Sequence, residues 1–269
     1  MAFRSVLDAM PDRPVVLRTF DIGGDKFAST FKVPVELNPM LGLRAVRLAQ
    51  SRPEMFMEHL RAMVRASAYG DVRIMVPMVA SLGELEWARE MLSKAIASVR
   101  SEGEPVAAEI PLGVMIEVPA AALLAEHFAR SAAFMSIGTN DLIQYTLAVD
   151  RASRRLAHLA SPFDPAIARL IDLVVQAGRR HDCPVCVCGA MAGEPLAAVL
   201  LLGLGVREFS MEIGAIPEIR EAFRRVSLEE ASAAAKFALA APTATAVEKH
   251  LIGAFGSVLG DLLSGEEHA

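Results

Sequence analysis

Phe134-Met-Ser-Ile-Gly-Thr139 is a short, mostly apolar run that ends on two polar residues, Asn140 and Asp141, before a helical segment begins. That is the pattern of a buried strand with a working group at its end. Five other runs share it: Val15 to Phe20, Arg73 to Met78, Leu112 to Val118, Val185 to Cys188 and Arg207 to Met211. Helix-like segments lie between them. Asn38-Pro39 predicts a helix start, with Asn as cap and Pro in the first turn. Ser81-Leu-Gly-Glu84 is a capping-box pattern. Pro119 opens a helix through Ala129, and Asp164-Pro165 opens one through Arg180. Gly70 and Gly103 read as helix stops. Strands alternating with helices predict an α/β protein with a parallel sheet.

Polar residues recur where the strands end: Arg18, Glu117, Asn140 with Asp141, and Cys188. Working residues gathered at the C-terminal ends of several strands are the mark of a (β/α)₈ TIM barrel. Gly23-Gly24 fits neither the dinucleotide fingerprint nor the P-loop, which argues against a doubly wound nucleotide fold. Eight strands would need two more than the six seen. Nothing before Val15 supplies them, since residues 4–10 read as the tail of a helix, and after Met211 the chain turns helical and Ala-rich. The expectation is one barrel domain over 1–269, missing its first two strands, with a helical C-terminal tail from about 228.

The 269 residues are 53% hydrophobic, enough for a sizeable core, with a net charge of -5. An acidic chain argues against nucleic acid and against a surface that hugs anionic lipid. The longest apolar runs are too short to span a bilayer, and the first ten residues carry no secretory h-region. Cys183, Cys186 and Cys188 are too clustered for a disulfide framework, so a cytoplasmic location is expected. Without a second Cys pair or a suitably spaced His, they also argue against zinc.

Glu117 and Asp141 are acids at the ends of neighbouring strands. Such a pair suits a hard cation such as Mg²⁺, and equally suits two helix N-terminal acids. Arg18 interrupts an apolar strand, where a charge requires a partner. With Lys26, Arg44, Arg47 and Arg151 it points to an anionic, phosphate-bearing ligand, because guanidinium matches phosphate oxygens. A solvated helix face is the plainer alternative for Arg44, Arg47 and Arg151. Period-2 alternation puts Cys186 and Cys188 on one face. Cys188 is either a small core residue or a thiol able to donate a proton.

Together these segments resemble enzyme I of the bacterial phosphotransferase system, the phosphoenolpyruvate–protein phosphotransferase family. The resemblance rests on Val16-Leu-Arg-Thr-Phe-Asp-Ile-Gly-Gly-Asp-Lys26, Asn38 to Arg47, Arg73 to Met78 and Gly113 to Ala120. It continues with Cys188-Gly189, Glu208 to Met211 and, above all, Ser136-Ile-Gly-Thr-Asn-Asp-Leu-Ile-Gln-Tyr-Thr-Leu-Ala-Val-Asp-Arg151. Pyruvate phosphate dikinase and phosphoenolpyruvate synthase share the Gly-Thr-Asn-Asp core, whereas the continuation to Arg151 is similar to enzyme I. The resemblance implies a phosphoenolpyruvate-binding (β/α)₈ barrel that uses Mg²⁺. Glu117 and Asp141 would be the metal ligands. Arg18, Arg44 and Arg151 would hold the substrate's phosphate and carboxylate, with Lys26 and Asn140 assisting. Cys188 would protonate the enolate carbon as pyruvate forms.

The resemblance further implies a homodimer through this domain. It also implies a phosphocarrier protein that docks only on the missing N-terminal part. Three departures stand out. The family's acceptor histidine, in an N-terminal domain, is absent, and so are the first two barrel strands. Ala190 follows Cys188-Gly189 where the family usually has Glu. The expectation is therefore a transferase using phosphoenolpyruvate. The alternatives are a phosphoenolpyruvate-binding regulatory remnant and a relative of pyruvate phosphate dikinase.

Overall fold

The computed structural model describes residues 2–22 and 36–263; Lys26 lies outside the described residues. The chain divides into two compact units, Met1–Met115 with Ser131–Phe134, and Ile116–Arg130 with Met135–Ala269. All six expected strands form, and within each unit they pair in parallel and in chain order.

The first unit holds β1 (Val15–Arg18), β2 (Val72–Val76) and all but the last residue of β3 (Leu112–Ile116). Val15 pairs with Val72, Arg18 with Met75, and Ile74 with Leu112. Helices Pro53–Ala66 and Leu82–Ser101 pack on each other and bury Phe56, Leu60, Leu85 and Leu92. Phe56 stacks on Trp87 with ring centroids 5.2 Å apart. The capping box is present: Ser81 Oγ accepts from the Glu84 N–H, and Glu84 Oε2 accepts from the Ser81 N–H at 3.0 Å. Such a cap is worth about 1 kcal/mol. The Phe134 ring lies over Gly113, where a Cβ would come within 2.4 Å of it, so this strand position has no room for a side chain.

Two helix boundaries differ from expectation. Asn38-Pro39 opens only a 3₁₀ turn, Pro39–Leu41, and the Asn38 side chain makes no cap hydrogen bond. The Glu36 carboxylate instead accepts from the Leu43 N–H at 2.9 Å, which holds the chain out of a helix until Ala45–Ser51. Arg44 therefore stands on extended backbone at that helix's cap, not on a continuous helix with Arg47. The helix from Pro119 is interrupted at Leu124, giving Pro119–Leu123 and Ala125–Ser131. Gly70 ends its segment in extended backbone, whereas Gly103 has the left-handed φ of +78° that a glycine stop adopts.

The second unit holds β4 (Met135–Gly138), β5 (Val185–Cys188) and β6 (Glu208–Ser210). Ser136 pairs with Cys186, Gly138 with Cys188, and Cys188 with Ser210. Asp164 caps helix Pro165–Arg180, its Oδ1 accepting from the Ala166 N–H at 2.8 Å. Helix Pro195–Leu204 is apolar all round and almost wholly buried. The Ala-rich helix Leu228–Ala240 covers it at very close range: a Cβ on Gly203 would meet the Ala231 carbonyl oxygen at 2.0 Å. Helix Ala244–Leu263 adds Val247, Leu251, Phe255 and Leu259, one every four residues, to the same core. Burial is complete along β4 but partial on β1 and β6, each of which has one neighbour among the described strands. Among the described residues, no helix is long and apolar enough to cross a membrane.

Candidate active site

In the first unit, β1 carries Arg18 to an exposed position, not the buried one expected of a strand covered on both faces. Among the described strands, β1 has one neighbour, β2. Asp21, just past the strand, gathers the cations. Its carboxylate accepts two hydrogen bonds from Arg44, Nε to Oδ1 at 3.0 Å and Nη2 to Oδ2 at 2.7 Å. Both side chains are 6% exposed. Arg18 Nη1 reaches the same carboxylate at 3.7 Å while remaining 49% exposed. The solvated-face alternative thus fails for Arg44. Arg47 donates to the Leu41 carbonyl at 2.9 Å, a contact that braces the 3₁₀ turn.

The second unit contains Glu117, Asn140, Asp141, Arg151 and Cys188, and the contacts in it link Asp141 with Arg151 and Asn140 with the backbone that follows Cys188. Glu117 and Asp141 are both buried. Asp141 sits in the first turn of helix Thr139–Leu147, which begins directly after β4, so the helix N-terminus favours its charge. The helix ends on Ala148 in left-handed conformation, φ +54°, and the chain doubles back. The returning Arg151 N–H donates to Oε1 of buried Gln144 at 3.0 Å, and Arg151 Nη1 comes within 3.5 Å of Asp141 Oδ1. The excursion from Asp141 to Arg151 is thus closed, its two ends in contact with each other.

At the neighbouring strand end, Thr139 Oγ1 donates to the Cys188 carbonyl at 3.0 Å, and the Ala190 N–H donates to Asn140 Oδ1 at 2.9 Å. Gly189 between them has φ +103°, and a Cβ there would lie 2.4 Å from Thr139 Oγ1. Both its backbone conformation and its neighbours demand glycine. Ser136 Oγ donates to Cys188 Sγ at 3.4 Å. Cys188, Asn140, Ala190 and Glu212 line a cavity of about 570 Å³. A second cavity of about 420 Å³ is lined by Arg151 and Gln144 and shares Asn140, Ala190 and Gly193 with the first.

All three cysteines are free thiols. Burial pushes the Cys186 thiol up to about 11, against a smaller opposing effect of the Ser136 hydroxyl. Burial also raises Cys183. These two thiols are therefore inert near neutrality. Among the described residues, no group of three or more His, Cys, Asp or Glu is placed to hold a metal ion. Two buried carboxylates in one unit nonetheless fit the oxygen chemistry of Mg²⁺, which completes its shell with water and substrate phosphate.

The family model described as the PEP-binding domain of PEP-utilising enzymes matches residues 1–228. The chain belongs to that family. Relatives named phosphoenolpyruvate-protein phosphotransferase align along most of it. That of Geobacillus stearothermophilus is 45% identical over 247 residues, 92% of this chain and 43% of the relative. That of Listeria monocytogenes is 44% identical over 246 residues, 91% of this chain and 43% of the relative. That of Staphylococcus carnosus is 46% identical over 229 residues, 85% of this chain and 40% of the relative. The chain thus spans less than half the length of these curated relatives. Among solved structures, a citrate lyase from Burkholderia xenovorans LB400 aligns with a TM-score of 0.48 and 15% identity, covering 77% of this chain and 72% of that one.

Asp21 in the first unit, and Ser136, Thr139 and Gln144 in the second, hold candidate site residues in place without having been singled out from the sequence. A signal existed for Asp21, because a charged Arg18 in an apolar run requires a nearby acid. For Gln144, a polar residue among Leu142, Ile143 and the helix core was the available sign. Ser136 and Thr139 are small hydroxyl residues that period and polarity do not distinguish from strand filler.

Proposed function

We propose that this chain is the phosphoenolpyruvate-binding domain of a phosphoenolpyruvate–protein phosphotransferase, built on a (β/α)₈ barrel of the kind the longer relatives' family uses. The observation that carries this reading is the convergence, in one unit, of Asp141 with Arg151 and of Cys188 with Asn140 around cavities that share a wall. A Mg²⁺ held by Glu117 and Asp141 would neutralise phosphate charge. Arg151 holds an anionic group of the substrate, and Arg18 and Arg44 belong to the same task only as the resemblance implies. Arg44 supports Arg18 through Asp21, and Lys26 assists as the resemblance implies. Asn140 fixes the backbone of Ala190 beside the thiol.

The phosphoryl group leaves to a histidine on a separate domain. The P–O bond breaks, its electron pair stays on the enolate oxygen, and the enolate carbon takes the proton of Cys188 Sγ to give pyruvate. A phosphocarrier protein, a homodimer and a cytoplasmic setting belong to the same proposal. Ala190 favours one second reading, a domain that binds phosphoenolpyruvate without turnover.

Exchange of pyruvate methyl protons in deuterated solvent tests the choice. The enzyme reading expects Mg²⁺-dependent exchange that disappears in Cys188→Ala. Absence of exchange in both proteins, with phosphoenolpyruvate still binding by calorimetry, selects the second reading.

A further inference from the structure

The two cavities of the second unit share Asn140, Ala190 and Gly193 but differ in charge. One is lined by the Arg151 guanidinium. Glu194 lines it too, but its carboxylate is engaged by the Leu196 and Ala197 N–H groups. The other, beside Cys188, is lined by small, apolar or uncharged polar residues and by Glu212, its one Asp, Glu, Lys or Arg. Glu212 is exposed and stands at the cap of the 3₁₀ turn Ile213–Ala215, yet its side chain makes no cap hydrogen bond. Serine, asparagine or aspartate would cap that turn better, so capping does not account for the acid.

Resting on the proposed function, in which the substrate's enolate carbon meets Cys188, we infer that Glu212 is a specificity-determining residue: its negative charge rejects ligands that bear a second anionic group on that carbon. Arg151 draws the phosphate or carboxylate end of the ligand to the other side of the shared wall. Size alone does not impose this choice. The Cys188 cavity, at about 570 Å³, has room for an extra carboxylate, and Asn140 and Ser210 in its lining offer polar groups to one. Charge is the remaining discriminator, and like charges in a partly enclosed space repel more than in open water. Specificity of this kind comes from a repulsive element set against the wrong ligand.

The test is a calorimetric titration at fixed Mg²⁺ with three ligands. The first is pyruvate. The second is freshly dissolved oxaloacetate, which is pyruvate with a carboxylate on its methyl carbon. The third is 4-methyl-2-oxopentanoate, which puts an uncharged group of similar shape at the same place. Glu212→Gln should tighten oxaloacetate about tenfold and leave the other two within about twofold. Glu212→Lys should make oxaloacetate bind more tightly than the uncharged isostere. Glu208→Gln, which removes an acid of β6 that does not line the cavity, should change none of the three. An unmoved oxaloacetate Kd in Glu212→Gln, or an equal change for all three ligands, overturns the inference while pyruvate binding still upholds the substrate reading. If pyruvate does not bind the parent protein, the substrate reading falls and the inference falls with it.

Discussion

Asp21 with Arg44 and Asp141 with Arg151 are the same chemical pair in two settings. The first is bidentate, with both side chains nearly sealed from solvent. The second is a single 3.5 Å approach in which Arg151 stays 46% exposed and is tethered by its backbone to Gln144. A sealed fork holds its unit together, because losing either partner strands a buried charge. A loosely paired guanidinium on an anchored backbone keeps its donors available, and a ligand phosphate can take them without dismantling the fold. Residue type alone therefore does not separate scaffold from site; burial and hydrogen-bond geometry do.

The largest effect that sharpens this contrast is Arg44→Ala, expected to cost about 3–5 kcal/mol by urea unfolding because Asp21 is left buried. A loss below 1 kcal/mol would break the comparison. Next, Arg151→Ala should weaken phosphoenolpyruvate binding about 10- to 100-fold in a calorimetric titration, the worth of one charge-assisted hydrogen bond. Its unfolding free energy should stay within about 1 kcal/mol of the parent. Replacing the tether, Gln144→Leu, should cost about 1–2 kcal/mol, since the Arg151 N–H loses its acceptor. It should also weaken phosphoenolpyruvate binding, although no ligand-facing charge is removed.

The smallest effect is a control in alkali. Cys186 is raised from 9.0 to about 11 in the folded chain. The folded state then holds its proton after the unfolded state has lost it. The associated stability is full below pH 9 and is lost as pH rises towards 11. Between pH 8 and 10 the urea midpoint should fall by the equivalent of about 1 kcal/mol. Cys186→Ala should remove that part of the decline.

The strands were legible because each is a short apolar run, and β5 matched residue for residue. The placement of Glu117, Asp141 and Cys188 at strand ends was legible because polar residues there interrupt that pattern. Arg44 was misplaced onto a helix because a distant carboxylate, Glu36, captures the Leu43 N–H, and no local propensity reports such a contact. Arg18 was read as a charge in need of a partner, and Asp21 supplies one at 3.7 Å. The roles of Ser136 and Gln144 depend on partners brought close by strand pairing or by a left-handed turn, which composition and period do not encode.

The contact of Gly203 with the Ala231 carbonyl has a practical consequence for anyone trimming this protein. The family match stops at residue 228, which makes that position an inviting place to cut. Shortened there, the chain would lose the cover of Leu228–Ala240 and present Pro195–Leu204, a helix without a polar side, to water. Such a patch seeks another copy of itself. The shortened protein should precipitate or self-associate, whatever the state of its chemistry.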